Sequence, residues 1–132
     1  MRTKRKVMRP NPILIIEDDE TLADVLSDGL RSHGFPVAVQ DSVFGASGRV
    51  RELRPAAVLL DVCLPYRAGT ALLSELKRDP RTADVPVLLM SGLTDELPAE
   101  RRALADAVLA KPFRLDTLIQ AISATRGAAQ AN

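Results

Sequence analysis

The strongest constraint on this chain is a set of five short apolar runs, four of which end abruptly at a polar residue. Residues 13–16 stop at Glu17, 57–60 at Asp61, 85–90 at Ser91 and 107–110 at Lys111; residues 35–39 form a weaker fifth run. Runs rich in Val, Ile and Leu with little polar alternation suit strands buried on both faces of a parallel sheet.

Helical patterns lie between the runs. Leu22, Val25, Leu26 and Leu30 recur on one helical face, with Gly34 beyond as a stop. Leu72, Leu73 and Leu76 form a second stripe closed by Asp79-Pro80, and Leu115, Leu118, Ile119 and Ile122 a third, with Gly127 beyond. The stretch 42–53 is weaker because Gly45 and Gly48 disfavour helix, and 95–105 is charged and helix-prone with little apolar face. Alternating strands and helices predict an α/β fold: a doubly wound parallel sheet with right-handed crossovers and helices on both faces.

With 132 residues there is room for one hydrophobic core. Eighteen Lys and Arg against 17 Asp and Glu leave a net charge of +1, so the overall field favours neither nucleic acid nor a membrane surface as partner. A single cysteine, Cys63, makes no internal disulfide, and no apolar run approaches the roughly 20 residues of a membrane span. A cytoplasmic location is expected. Residues 1–12 read as a basic disordered tail, 13–126 as the domain and 127–132 as a short C-terminal tail.

In open parallel sheets, ligands bind at the carboxyl ends of the strands. That geometry would bring Glu17, Asp18, Asp61, Ser91 and Lys111 to one rim. Carboxylates held together repel, and a hard divalent cation relieves the repulsion; Mg²⁺ takes oxygen ligands, keeps several waters and uses one or two carboxylates plus phosphate oxygens. Asp18 and Asp61 are expected as direct Mg²⁺ ligands, Glu17 through water, and the backbone carbonyl of Cys63 as a further oxygen. A carboxylate can attack phosphorus, and phosphoryl transfer depends mainly on positioning and charge neutralisation. Lys111 and the Ser91 hydroxyl would each face one phosphoryl oxygen.

The segments ILIIEDDE, AAVLLDVCLPYRAG, VPVLLMSG and LAKPF, in that order, resemble the receiver domain of response regulators in two-component signalling, including its stand-alone chemotaxis-regulator-like members. Each motif is weak alone; four in order, each ending an apolar run, are specific together. The likeness spans residues 13–125. It implies the flavodoxin-like strand order 2-1-3-4-5. Asp61 becomes the phosphoacceptor, Glu17 and Asp18 the Mg²⁺-holding pair, and Ser91 the hydroxyl that reorients toward the phosphoryl group. Lys111 becomes the phosphoryl contact, with a cis bond to Pro112. Leu64-Pro65 and Gly69 match the turn after the phosphosite. The implied partners are a sensor histidine kinase or phosphotransfer protein upstream and an unidentified protein downstream, with no direct nucleic-acid contact. The chain is expected to be a phosphoacceptor that assists its own phosphotransfer and dephosphorylation, not an enzyme acting on a separate substrate.

One departure stands out. Where the family carries an aromatic three residues before the lysine, this chain has Val108, so ring-swing coupling cannot operate in the usual way. Two alternatives remain: a small Asp-nucleophile phosphatase of the haloacid-dehalogenase kind, and a degenerate receiver that works without phosphorylation. The first wants a second Asp two residues past the nucleophile, where Cys63 stands; the complete polar set argues against the second. Asp19 reads as a helix cap rather than a ligand, and His33 as a partly exposed cation at a helix end.

Overall fold

The computed structural model describes residues 11–62, 68–92 and 97–130. Five strands, β1 (Ile13–Ile16), β2 (Val37–Gln40), β3 (Ala57–Asp61), β4 (Val87–Ser91) and β5 (Ala107–Ala110), alternate with α1 (Glu20–Ser32), α2 (Ala46–Leu53), α3 (Ala68–Arg78), α4 (Ala99–Arg102) and α5 (Leu115–Gln130). The strands form one sheet in the order β2-β1-β3-β4-β5, and every pairing is parallel.

Burial follows from that order. The three inner strands β1, β3 and β4 are buried along their whole length, which is why their runs show no polar alternation. The edge strands β2 and β5 are partly open, and the weaker run at 35–39 belongs to such an edge. Successive residues point to opposite faces. Leu14, Ile16, Val58, Leu60, Val87 and Leu89 pack with Ala46, Val50, Leu72, Leu73 and Leu76 under α2 and α3. Ile13, Ile15, Leu59, Leu88 and Met90 pack with Leu26, Leu30, Leu118 and Ile122 under α1 and α5. Each such Val, Leu, Ile or Met side chain contributes about 1.5–3 kcal/mol when fully buried.

Local chemistry sets the helix ends. Asp19 is the N-cap of α1, its Oδ1 accepting from the Leu22 N–H at 3.1 Å. Gly34 follows α1 at φ 89°, a left-handed conformation that glycine adopts without strain. Three sequence boundaries shift. Among the described residues of the helix-prone stretch 95–105, helix forms only as the single turn Ala99–Arg102, which buries no residue: without an apolar face nothing holds a longer helix to the sheet. Gly69, matched to a turn from sequence, lies in the first turn of α3. At the C-terminal end, α5 continues through Gly127 to Gln130, so residues 127–130 of the stretch read as a tail are helical. One glycine costs only about 1 kcal/mol relative to alanine, and the good helix formers Ala128, Ala129 and Gln130 follow it.

Among the described residues no helix is long and apolar enough to cross a membrane.

Candidate functional site

The parallel register aligns the ends of the inner strands. Ile16 lies opposite Leu60, Asp61 opposite Met90, and Ser91 opposite Ala110. Glu17, Asp61, Ser91 and Lys111 therefore meet at one rim although up to 94 residues separate them. Two backbone bonds fix the rim: Val62 N–H donates to the Met90 carbonyl at 2.9 Å and Lys111 N–H to the Ser91 carbonyl at 2.7 Å.

Three carboxylates converge. Glu17, Asp18 and Asp61 each offer an oxygen, and these oxygens lie within 4.8 Å of one another. Glu17 and Asp61 are almost wholly buried, at 1% and 2% exposure, whereas Asp18 is open to solvent. The Lys111 Nζ reaches over both buried acids, 3.2 Å from Asp61 Oδ1 and 3.4 Å from Glu17 Oε1. Glu17 is held in place by the Asp19 N–H, which donates to its Oε2 at 3.2 Å.

One ammonium does not neutralise this group. Burial, and then the hydrogen bond and negative charge of Asp61, push the Glu17 carboxyl from its ordinary 4.5 up to about 7, against the opposing pull of the Asp19 N–H and Lys111. Burial by itself disfavours the Lys111 ammonium, but the charges of Asp61 and Glu17, and their hydrogen bonds, outweigh it and raise the lysine above its ordinary range. Two buried acids and an exposed third around one partial counterion suit a hard cation with oxygen ligands, and the donor set fits Mg²⁺.

The remaining residues fall into place around this cluster. Ser91 ends β4 with 7% exposure, its hydroxyl donating to the Gly92 carbonyl at 3.3 Å. The Lys111–Pro112 peptide bond is cis. Asp19 lies beside the acidic pair but is committed to capping α1. Cys63, Leu64 and Pro65 lie outside the described residues. Val108 sits on β5, partly buried against the α2–α3 core together with Leu97 and Ala105.

Two side-chain ties elsewhere in the domain were not anticipated from sequence. The Lys77 Nζ donates to the Val85 carbonyl at 2.9 Å and to Asp106 Oδ2 at 2.8 Å, and that same oxygen accepts from the Val87 N–H at 2.7 Å, so β4, β5 and α3 are tied at the end opposite the rim. Arg101 joins α4 to α3 through the Thr70 carbonyl and the Ser74 hydroxyl. No local pattern marks either pair.

The family model for the response regulator receiver domain matches residues 13–123. This chain belongs to that family, the receiver domains of two-component signal transduction. It is 35% identical to the DNA-binding dual master transcriptional regulator RpaA of Synechocystis over 117 residues, a match covering 85% of this chain and 47% of that protein. It is equally 35% identical to the DNA-binding response regulator MtrA of Mycobacterium tuberculosis over 114 residues, covering 85% of this chain and 49% of the relative. The chain thus spans about half the length of the curated relatives it matches. Among solved structures, a sensor protein from Polaromonas superposes with a TM-score of 0.82 at 30% identity, covering 92% of this chain and 99% of the other.

Proposed function

We propose that this receiver domain accepts a phosphoryl group on Asp61 in a Mg²⁺-dependent reaction and switches its binding to a downstream protein. The observation that carries the reading is the Glu17–Asp18–Asp61 cluster under Lys111, in which Glu17 and Asp61 are buried. A structural role does not account for it, since like charges brought together away from water cost stability.

Asp18 and Asp61 would hold Mg²⁺ directly, with Glu17 acting through water and the Cys63 carbonyl supplying a further oxygen. The cation would neutralise charge on the donor phosphate and the attacking carboxylate. An Asp61 oxygen attacks phosphorus; the bond from phosphorus to the leaving group breaks, and the leaving group departs with the electron pair. Lys111 already touches Asp61, so its ammonium needs only a short shift to pair with a phosphoryl oxygen. The Ser91 hydroxyl donates to another. The donor is the phosphohistidine of a sensor kinase or phosphotransfer protein, and the domain acts in the cytoplasm as a phosphoacceptor rather than an enzyme with a free substrate. Membership of the receiver family favours this over a haloacid-dehalogenase-type phosphatase, and the complete polar set favours it over a receiver that works unphosphorylated.

A phosphoryl mimic tests the reading. Mg²⁺ with beryllofluoride should raise the melting temperature of the protein by several degrees, because a ligand that binds only the folded state stabilises it. Asp61→Asn should lose the beryllofluoride increment. An equal increment in that variant would refute Asp61 as the acceptor.

A further inference from the structure

The family route from phosphosite to output uses an aromatic ring at the position held here by Val108, a short side chain stiff at χ1. We propose that in this chain Arg101 is the coupling residue that ties the state of Asp61 to α4, through the first turn of α3. The proposal rests on the phosphorylation reading above and adds the path by which that event reaches the surface.

The first link is a close backbone approach. A Cβ added at Gly69 would stand 2.5 Å from the carbonyl oxygen of Asp61 and 3.5 Å from the Cα of Val62. Only glycine fits there, so α3 starts directly against the backbone of the phosphoacceptor. A shift of the Asp61–Val62 backbone is therefore passed to α3 by contact.

The second link is Arg101. Its guanidinium donates to the Thr70 carbonyl, one residue past Gly69, at 3.2 Å, and to the hydroxyl of Ser74, which is 7% exposed. No carboxylate among the described residues forms an ion pair with it. A planar guanidinium reaches two acceptors in fixed directions, so the clasp reads the position of α3's first turn as a lysine would not.

The third link is how little else among the described residues holds α4. The helix is one turn long and buries no residue; apart from the Arg101 side chain, its hydrogen bonds among the described residues are local backbone ones, to Pro98 and Ala99 and from Leu104 and Ala105. The groove between α3 and α4, about 420 Å³, is lined by Ser74, Lys77, Arg78, Glu100, Arg101 and Leu104. Movement of Arg101 reshapes this surface without any change at Val108. In the resting state the clasp is closed; phosphorylation displaces the Thr70 carbonyl and releases it.

Hydrogen–deuterium exchange on the full chain, with and without Mg²⁺ and beryllofluoride, tests this. In the wild type the phosphoryl mimic should speed exchange across 99–105 several-fold, together with a change across 68–74. Arg101→Ala should already exchange fast at 99–105 without the mimic and show no further change there, while 68–74 still responds. Arg101→Lys, which keeps the charge but not the fork, should behave like the alanine variant and guards against a misfolded protein. Retention of the mimic-dependent change at 99–105 in both variants would overturn the proposal, as would its loss in Ser91→Ala alone. If beryllofluoride leaves exchange unchanged at every segment of the wild type, including the rim around Asp61, the phosphorylation reading fails and the coupling fails with it.

Discussion

Replacing Glu17 by glutamine should make the metal-free protein more stable at neutral pH, and the size of the gain should depend on pH in a defined window. Glu17 is 1% exposed and its carboxyl is raised from 4.5 to about 7, first by burial and then by Asp61. The folded state therefore holds a proton that the unfolded chain has released. Below pH 4.5 both states are protonated and the group favours folding fully; between 4.5 and 7 that contribution is lost as pH rises. That difference, at about 1.4 kcal/mol for each pH unit, gives a loss of roughly 3 to 4 kcal/mol. Lys111 stays charged across this range because its own titration is shifted upward. Urea unfolding at a series of pH values, wild type against Glu17→Gln, isolates the effect from other carboxylates. The difference between the two proteins should grow by roughly 3 kcal/mol from pH 4.5 to 7.5 without metal, and shrink when Mg²⁺ holds the carboxylate ionised. Parallel stability curves without metal would show that burial of Glu17 carries no such cost and would refute the electrostatic account of the site.

Other outcomes separate neighbouring residues. Asp18→Ala should weaken Mg²⁺ binding strongly in a titration, whereas Asp19→Ala should leave it nearly intact and instead cost about 1 kcal/mol of stability through loss of the α1 cap. Equal losses of metal affinity would mean that the acidic pair is misassigned. Ser27→Ala should leave stability unchanged or raise it by about 1 kcal/mol, because the buried Ser27 hydroxyl has no hydrogen-bond partner among the described residues; a clear loss in thermal unfolding would contradict that. Ser91→Ala should still accept a phosphoryl group but blunt the exchange response of residues 91–98, and an undiminished response there would remove Ser91 from the switch.

The convergence of the candidate site was legible in sequence because its residues end a strand or follow one directly. Glu17, Asp61, Ser91 and Lys111 interrupt apolar runs, and a parallel sheet aligns such interruptions at one rim whatever their separation along the chain. The cap at Asp19 was legible for a similar reason, since the chemistry of a helix start is local. The extent of α4 was not: residues 95–105 have helix-forming composition, but propensity alone does not hold a helix that buries nothing. Nor was the end of α5, where Gly127 reads as a stop and yet is carried within the helix to Gln130. The Arg101 clasp and the Lys77–Asp106 tie join residues 27 to 31 positions apart through side chains, and only the packed fold brings them together. Even the tuning of Glu17 comes from surroundings that its own neighbours in sequence do not reveal.

Intact-mass spectrometry after incubation with acetyl phosphate addresses the central claim most directly. With Mg²⁺ the wild type should gain the mass of one phosphoryl group, removable by hydroxylamine as an acyl phosphate requires; without Mg²⁺, or in Asp61→Asn, the gain should vanish. A hydroxylamine-resistant adduct, or full labelling of Asp61→Asn, would contradict the assignment of Asp61 as the phosphoacceptor.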